Sequence, residues 1–398
     1  LHTTSSDLDT YAAGHVRLLG TTQVDNGGGI YIFAGHDIPG GDLSQAFSGK
    51  QIQIASLIAP DSDVVLLATG AISANTRNIY GINADISNAS SGGIVINNHT
   101  TATQPGFVAL TDIAADNRSV SFTHTGSDLS LDSGFSFSTG EGSGSVLVAA
   151  PTSNLIYDGA SIGGNSAILS AGSTLTISPS SLTYFGDLAL IAPVVDIWNS
   201  VSANGNLLVV AGTLNNSTSS GSLSGYNLNM IAGNIFGNSG AHFMASNNLN
   251  ATVANNIVLA DGAHFHAGGD INLTMNGAGS EVRLSNGSFM HAGAPTTIHI
   301  DFTTRTSGGI FIDGLPTIAN NGPTGFFVGY SMVPAVPGAG LEITYASQSN
   351  NAILAILDSN TQRIGGETEE ERQRRLREAE QSDEGDSDDA NKPAAQCS

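Results

Sequence analysis

Residues 186–275 spell one pattern five times: GDLALIA (186–192), GNLLVVAG (205–212), YNLNMIAG (226–233), NNLNATVA (247–254) and GDINLTMNG (269–277). Aligned, they place Leu188, Leu207, Leu228, Leu249 and Ile271 in one column, at steps of 19, 21, 21 and 22 residues. A second column precedes each copy: Leu182, Val201, Leu223, Phe243, Phe265 and then Met290. Apolar alternation with a period of 2, nested in a period near 20, is the signature of strands stacked coil on coil. A single coil cannot bury its inward Leu or Phe. A stack can, because each inward side chain rests on its counterpart one coil away.

The residue before the first column is Asp187, Asn206, Asn227, Asn248 and Asp270. Asn and Asp suit a turn that repeats in register, because their side chains bond the nearby backbone and tolerate left-handed conformations. At the strand spacing of roughly 4.8 Å, stacked Asn amides also reach one another. Gly186, Gly205 and Gly269 precede this ladder, where a positive φ is expected to cost nothing.

The spelling G-(D/N)-L-x-L-x-A, a turn, then L/F-x-A-x-G resembles the repeats of filamentous haemagglutinin-like exoproteins. The match is clearest over 182–293 and weaker over 20–181. The Asn-Pro-Asn motifs of that family's secretion domain do not occur here, and the chain contains no Asn-Pro dipeptide. The resemblance implies secretion by the two-partner route in a Gram-negative bacterium, with an outer-membrane transporter as export partner. It also implies a surface adhesin whose receptor is a glycan or protein on a host cell or another surface.

The expected fold is all-β: a right-handed parallel β-helix, since parallel crossovers are almost always right-handed. It is expected over 1–300, followed by an irregular capping region (301–365) and a charged, partly helical or disordered tail (366–398). From Ile30 to Ile298 a uniform repeat predicts about 13 coils and a rod roughly 60 Å long. The unevenly spaced first half predicts strands at 29–33, 51–54, 63–68, 93–97, 107–113, 119–124, 145–149 and 167–171. Longer loops are expected at 34–50, 70–92 and 124–141, and residues 1–16 read as a cut edge or partial coil.

Composition agrees with this architecture. The chain of 398 residues holds 49 Gly and only 12% charged residues, which suits short strands and tight turns. Its formal charge of −22 disfavours nucleic acid and anionic membrane as partners. Lys50 and Lys392 are the only lysines, and Cys397 is the only cysteine, so no intramolecular disulfide or cysteine-based metal site is expected. The chain begins at Leu1 without a secretory leader pattern and holds no apolar run long enough for a spanning helix. It therefore reads as the carboxy-terminal part of a larger adhesin. The tail pairs Glu370 with Arg374 and Glu371 with Arg375 but offers only Leu376 as a large apolar residue. Its lone thiol points to a mixed disulfide or dimer in an oxidising compartment.

Catalytic motifs are not expected. The Gly-rich strings lack the G-x-x-x-x-G-K-[ST] form, and Ser143 lacks the context of a nucleophile elbow. Asp187 and Asp270 share a turn column four coils apart, and Asp61 and Asp63 fit a polar turn, so neither pair reads as two glycosidase acids. Histidine forms one local cluster. AHFMA (241–245), AHFHA (263–267) and SFMHA (288–292) align so that Phe243, Phe265 and Met290 face inward. The flanking columns then stack His242 on His264 and His266 on His291, with Met244 beside them. Such imidazoles suit a borderline transition metal, but no carboxylate or Cys completes a shell. The favoured reading is surface cover by related repeats, with no metal and no cofactor. Eight sequons begin at Asn88, Asn98, Asn117, Asn215, Asn216, Asn250, Asn272 and Asn286, and glycosylation there is open.

The expected function is that of a rod-like secreted adhesin fragment without catalysis. The alternatives are a carbohydrate-active enzyme on the same fold, such as a polysaccharide lyase or glycosidase, and a passive spacer or biofilm matrix component.

Overall fold

Alternation in sequence becomes parallel pairing in space. The computed structural model describes residues 2–345 apart from 4–6, 26–27, 36–48, 87–92, 101–103, 113–118, 140–143, 286, 294–297, 304–308, 313–316, 322–325, 329–330 and 334–340. All regular elements among them are strands, wound into a parallel β-solenoid of about 11 turns. No helix among them is long and apolar enough to cross a membrane. The proposed tail, Cys397 and most of the loop expected at 34–50 lie outside the described residues.

The strands form a 20-stranded sheet running the length of the stack, a 7-stranded sheet early in the chain and a 9-stranded sheet late in it. The early sheet ends at Ser161–Gly163 and the late one begins at Leu182–Tyr184, in the same place in the chain order of a turn. The long sheet carries one unbroken inward column: Val16, Ile52, Ile72, Ile94, Val120, Val146, Ala167, then the five repeat positions from Leu188 to Ile271, and Ile298. The second predicted column is equally continuous in the late sheet, from Leu182 through Val201, Leu223, Phe243 and Phe265 to Met290. Every member of both columns between Val16 and Ile298 is buried. Full burial of one such side chain contributes about 1.5–3 kcal/mol relative to exposure.

From coil to coil the repeat uses one long strand with a corner in it. Asp187–Ile197 points Leu188, Leu190 and Ala192 inward, then changes parity so that Val195 and Ile197 point inward. The corner falls at Pro193, Gly212 and Gly233, where consecutive turns approach closely. A Cβ on Gly233 would lie 2.4 Å from the carbonyl oxygen of Gly212. Close approach also explains Gly186, Gly205 and Gly269, correcting the expectation of positive φ. None of the three is among the positive-φ glycines. A Cβ at Gly205 or Gly269 would instead meet Oδ1 of Asp187 or Asn248 at 2.3 Å.

The first half is more regular than its sequence. The expected loop at 70–92 contains the strands Ile72–Arg77 and Gly81–Ile86, and that at 124–141 contains Leu129–Leu131 and Phe135–Thr139. Val16–Val24 is a strand of the long sheet, where a chain edge had been expected just before it. The turn number is below the expected 13 because coils differ in length: Ile94, Val120 and Val146 are successive partners 26 residues apart. At the inter-strand spacing about 11 turns make a rod of about 50 Å.

Pairing also continues beyond the point where the repeat spelling fades. Gly309–Ile312, Thr317–Asn321 and Leu341–Tyr345 add in parallel to the preceding turn. Phe326–Val328 and Ser331–Val333 then add antiparallel to the late sheet.

Candidate functional site

The outer face of the late sheet carries the sequence-predicted histidines. Strands Ser200–Ala203, Ser222–Gly225, His242–Ala245, His264–Ala267 and Phe289–Gly293 lie side by side. Because Val201, Leu223, Phe243, Phe265 and Met290 point inward, the residues on either side point outward. One outward column runs Ser200, Ser222, His242, His264, Phe289, and the other Ser202, Ser224, Met244, His266, His291. Both change from Ser to larger rings along the rod.

The two imidazole pairs are in contact. Nδ1 of His264 lies 3.0 Å from Nδ1 of His242, and Nδ1 of His291 lies 2.8 Å from Nδ1 of His266. Each contact needs one N–H and one lone pair, so a pair shares a single proton between the facing nitrogens. Burial lowers the pKa of His264, with His242 and His266 adding to the effect. Burial and His291 do the same for His266. These two rings are therefore neutral at pH 7. Among the described residues no group of three or more His, Cys, Asp or Glu is placed to hold a metal ion. The four histidines thus offer two separate nitrogen pairs.

Beside these columns runs a depression. Its larger part, about 620 Å³, is lined by Ser202, Asn204, Ser224, Tyr226, Ser246 and His266 among others. A second hollow of about 390 Å³ is lined by His242, Met244, His264, His266 and Phe289. Met244 and His266 border both, so the two are continuous. The trough exists because small residues (Ala203, Gly225, Ala245 and Gly268) flank Tyr226, whose ring stands 53% exposed. The cluster of histidines was legible in the sequence. The trough was not, because Tyr226 sits in a turn and its neighbours come from other coils.

The predicted turn ladder forms one edge of this face. Asn206 donates from its backbone and side-chain amides to Oδ1 of Asp187 at 2.7 and 3.1 Å. Asn227 donates to Oδ1 of Asn206 at 2.8 Å. Oδ1 of Asn227 then accepts from the side chain of Asn247 and the backbone of Asn248, and Oδ1 of Asn248 accepts from the backbone of Asp270. The side-chain step passes through Asn247, which the sequence did not single out. A parallel ladder joins Asn229, Asn250 and Asn272 at 2.9 and 2.8 Å. Asn227→Ala is expected to cost about 1–2 kcal/mol, because bonds to both neighbouring coils are lost at a solvated edge. Chemical denaturation checks this value.

No protein-family model, curated protein or solved structure matches this chain. The functional reading therefore rests on the face just described and on the repeat spelling.

Two polar features inside the fold were missed in the sequence. Thr76, Asn98 and His124 are buried partners in successive coils of the long sheet. Thr76 donates to Oδ1 of Asn98 at 2.9 Å, and Nδ2 of Asn98 lies 3.2 Å from Nδ1 of His124. The other ring nitrogen of His124 lies 3.0 Å from Ser127 Oγ. Burial, aided by His99, lowers the pKa of His124 to about 4. Secondly, Asp85 and Asp112 occupy adjacent strands of the early sheet, offset by one residue. Burial raises the pKa of Asp85, and the charge of Asp112 adds to it.

The sequons divide by position. Asn98 and Asn216 are buried, and Asn250 and Asn272 donate their amides within a ladder. Asn215 is half-buried. Asn88, Asn117 and Asn286 lie outside the described residues.

Proposed function

We propose that this protein is a rod-like surface adhesin of the filamentous haemagglutinin type. It is secreted by a Gram-negative bacterium through a two-partner outer-membrane transporter and attaches the cell to a glycan or protein receptor. The observation that carries this reading is the broad, solvent-facing trough on a rigid stack about 50 Å long, lined by hydroxyl, amide, imidazole and aromatic groups. A rod separates such a face from the cell surface. Extended faces make contact with a receptor without a catalytic group, and neither nucleic acid nor membrane insertion enters the proposal. Residues 301–365 are proposed to close the stack, since open strand edges invite aggregation.

The test is retention of the purified chain on cells and glycan-coated surfaces, alongside an assay for depolymerisation of pectin and alginate. Retention without turnover is expected.

A carbohydrate-active enzyme is the second reading, favoured by one observation: the carboxyl pair Asp85 and Asp112, with the pKa of Asp85 raised. A neutral acid beside a carboxylate is the pairing glycoside hydrolysis uses. Polymer cleavage that disappears in Asp85→Asn would replace the adhesin reading with this one.

A further inference from the structure

We propose that the trough on the late sheet binds one segment of a neutral polysaccharide, laid parallel to the rod axis with Tyr226 as its stacking platform. This inference rests on the adhesin reading and specifies the ligand class of that face.

The dimensions come first. The two hollows together span five successive strands, from Ser202 to Phe289. Four inter-strand spacings make a length of about 19 Å. This is too long for a monosaccharide and suits several linked ones. The repeat of polar groups along the trough is the strand spacing, close to the length of one linked pyranose unit.

The chemistry of the lining comes next. Ser202, Ser224 and Ser246 offer hydroxyls and Asn204 an amide, all from different coils. Hydroxyl and amide side chains both donate and accept, as sugar hydroxyls do. The exposed ring of Tyr226 offers a flat apolar surface to the C–H face of a pyranose. Met244 and Phe289 continue an apolar strip toward the second hollow.

Charge separates neutral from acidic glycans. No Asp, Glu, Lys or Arg lines either hollow. The nearby turn ladder holds Asp187 and Asp270, and the whole chain carries a formal charge of −22. A uronate or sulfated polymer would be repelled, whereas a neutral one meets no charge. A peptide is a poorer fit. Peptides dock on β-structure chiefly by adding a strand to an open edge. The trough lies over a sheet face, where the backbone groups already pair between coils.

The experiment titrates the full chain with cellohexaose, laminarihexaose, mannohexaose and an alginate hexamer, by calorimetry. At least one neutral hexamer is expected to bind, its trimer far more weakly and the alginate hexamer not measurably. Tyr226→Ala is expected to weaken binding about tenfold, the scale of one lost aromatic contact. Tyr80→Ala, which removes an exposed ring on the early part of the rod, should bind like the parent. Ser224→Arg, which fills the trough from an outward position, should abolish binding while the melting temperature holds. The inference is overturned if no neutral hexamer binds, if Tyr226→Ala binds as the parent does, or if the alginate hexamer binds more tightly. Cell retention separates the two proposals. Retention that persists in Tyr226→Ala and Ser224→Arg leaves the adhesin reading standing without this site. Hexamer binding without cell retention leaves the site standing and removes the adhesin.

Discussion

Phe265→Asp is expected to unfold the late coils. Phe265 has no solvent exposure, packs edge-on against Phe243 at 4.9 Å and is in register with Met290 on its other side. The substitution removes a large ring, which alone costs about 3–5 kcal/mol. It also buries a carboxylate with no cation facing it, which costs several kcal/mol more or forces protonation. Coils contact only their neighbours, so damage at one level separates the turns on either side. Circular dichroism and limited proteolysis should report loss of strand structure around 243–290 at room temperature. Asn248→Ala, on the solvated turn of an adjacent coil, should remain folded. Equal stability of the two variants would mean that the inward and turn positions are wrongly assigned.

The second large effect is acid destabilisation through His124. In the fold its Nδ1 accepts from Asn98 and its Nε2–H donates to Ser127, an arrangement that suits the neutral ring. Protonation would require Asn98 to reverse its amide and would place a charge in the interior. Above about pH 6.5, the ordinary pKa of the ring, both folded and unfolded chains leave it neutral, and nothing is lost. Below that value the unfolded chain takes up a proton that the folded chain refuses until about pH 4. Stability therefore falls as pH drops through this window, by about 3 kcal/mol from this one group. His264 and His266, also lowered, add to the loss in the same direction. Denaturant titrations at pH 7 and pH 4 should show the parent losing about 3 kcal/mol more than His124→Gln. An equal loss in the two proteins would exclude His124 as the source.

His124 also explains where sequence reading stopped. From Leu182 to Met290 the inward residues are large and apolar, and the coil length barely changes, so alignment by eye recovers the true register. In the first half the inward positions include Thr76, Asn98 and His124. A polar residue at an inward position looks like a turn, and so ISANTR was read as loop. Coil length there also shifts from 20 residues between Ile52 and Ile72 to 26 between Ile94 and Val120, which blurs any fixed period. The histidine columns were legible because they flank a strong apolar column. The trough required knowing how turns of different lengths superpose. Tyr226 follows Gly225 in a turn one residue shorter than that of its neighbour at Asn204, a difference visible only once Ala203 and Gly225 are known to be partners.

The corner of the long strands has a consequence for how such a chain can change its length. Between Ala232 and Asn234 the partner strand carries one extra residue, since Ala232 pairs with Val253 and Asn234 with Asn256. The pairing resumes without error on the far side. A one-residue insertion within a strand would turn every following side chain inside out, but the same insertion at the corner is absorbed before the next inward Ile. Gain or loss of 21 residues, as from Leu228 to Leu249, would bring one Leu opposite another. Genetic drift in this chain therefore has two permitted currencies, single codons at corners and whole coils in the stack. The reach of the rod can lengthen or shorten while the face it presents keeps its spacing.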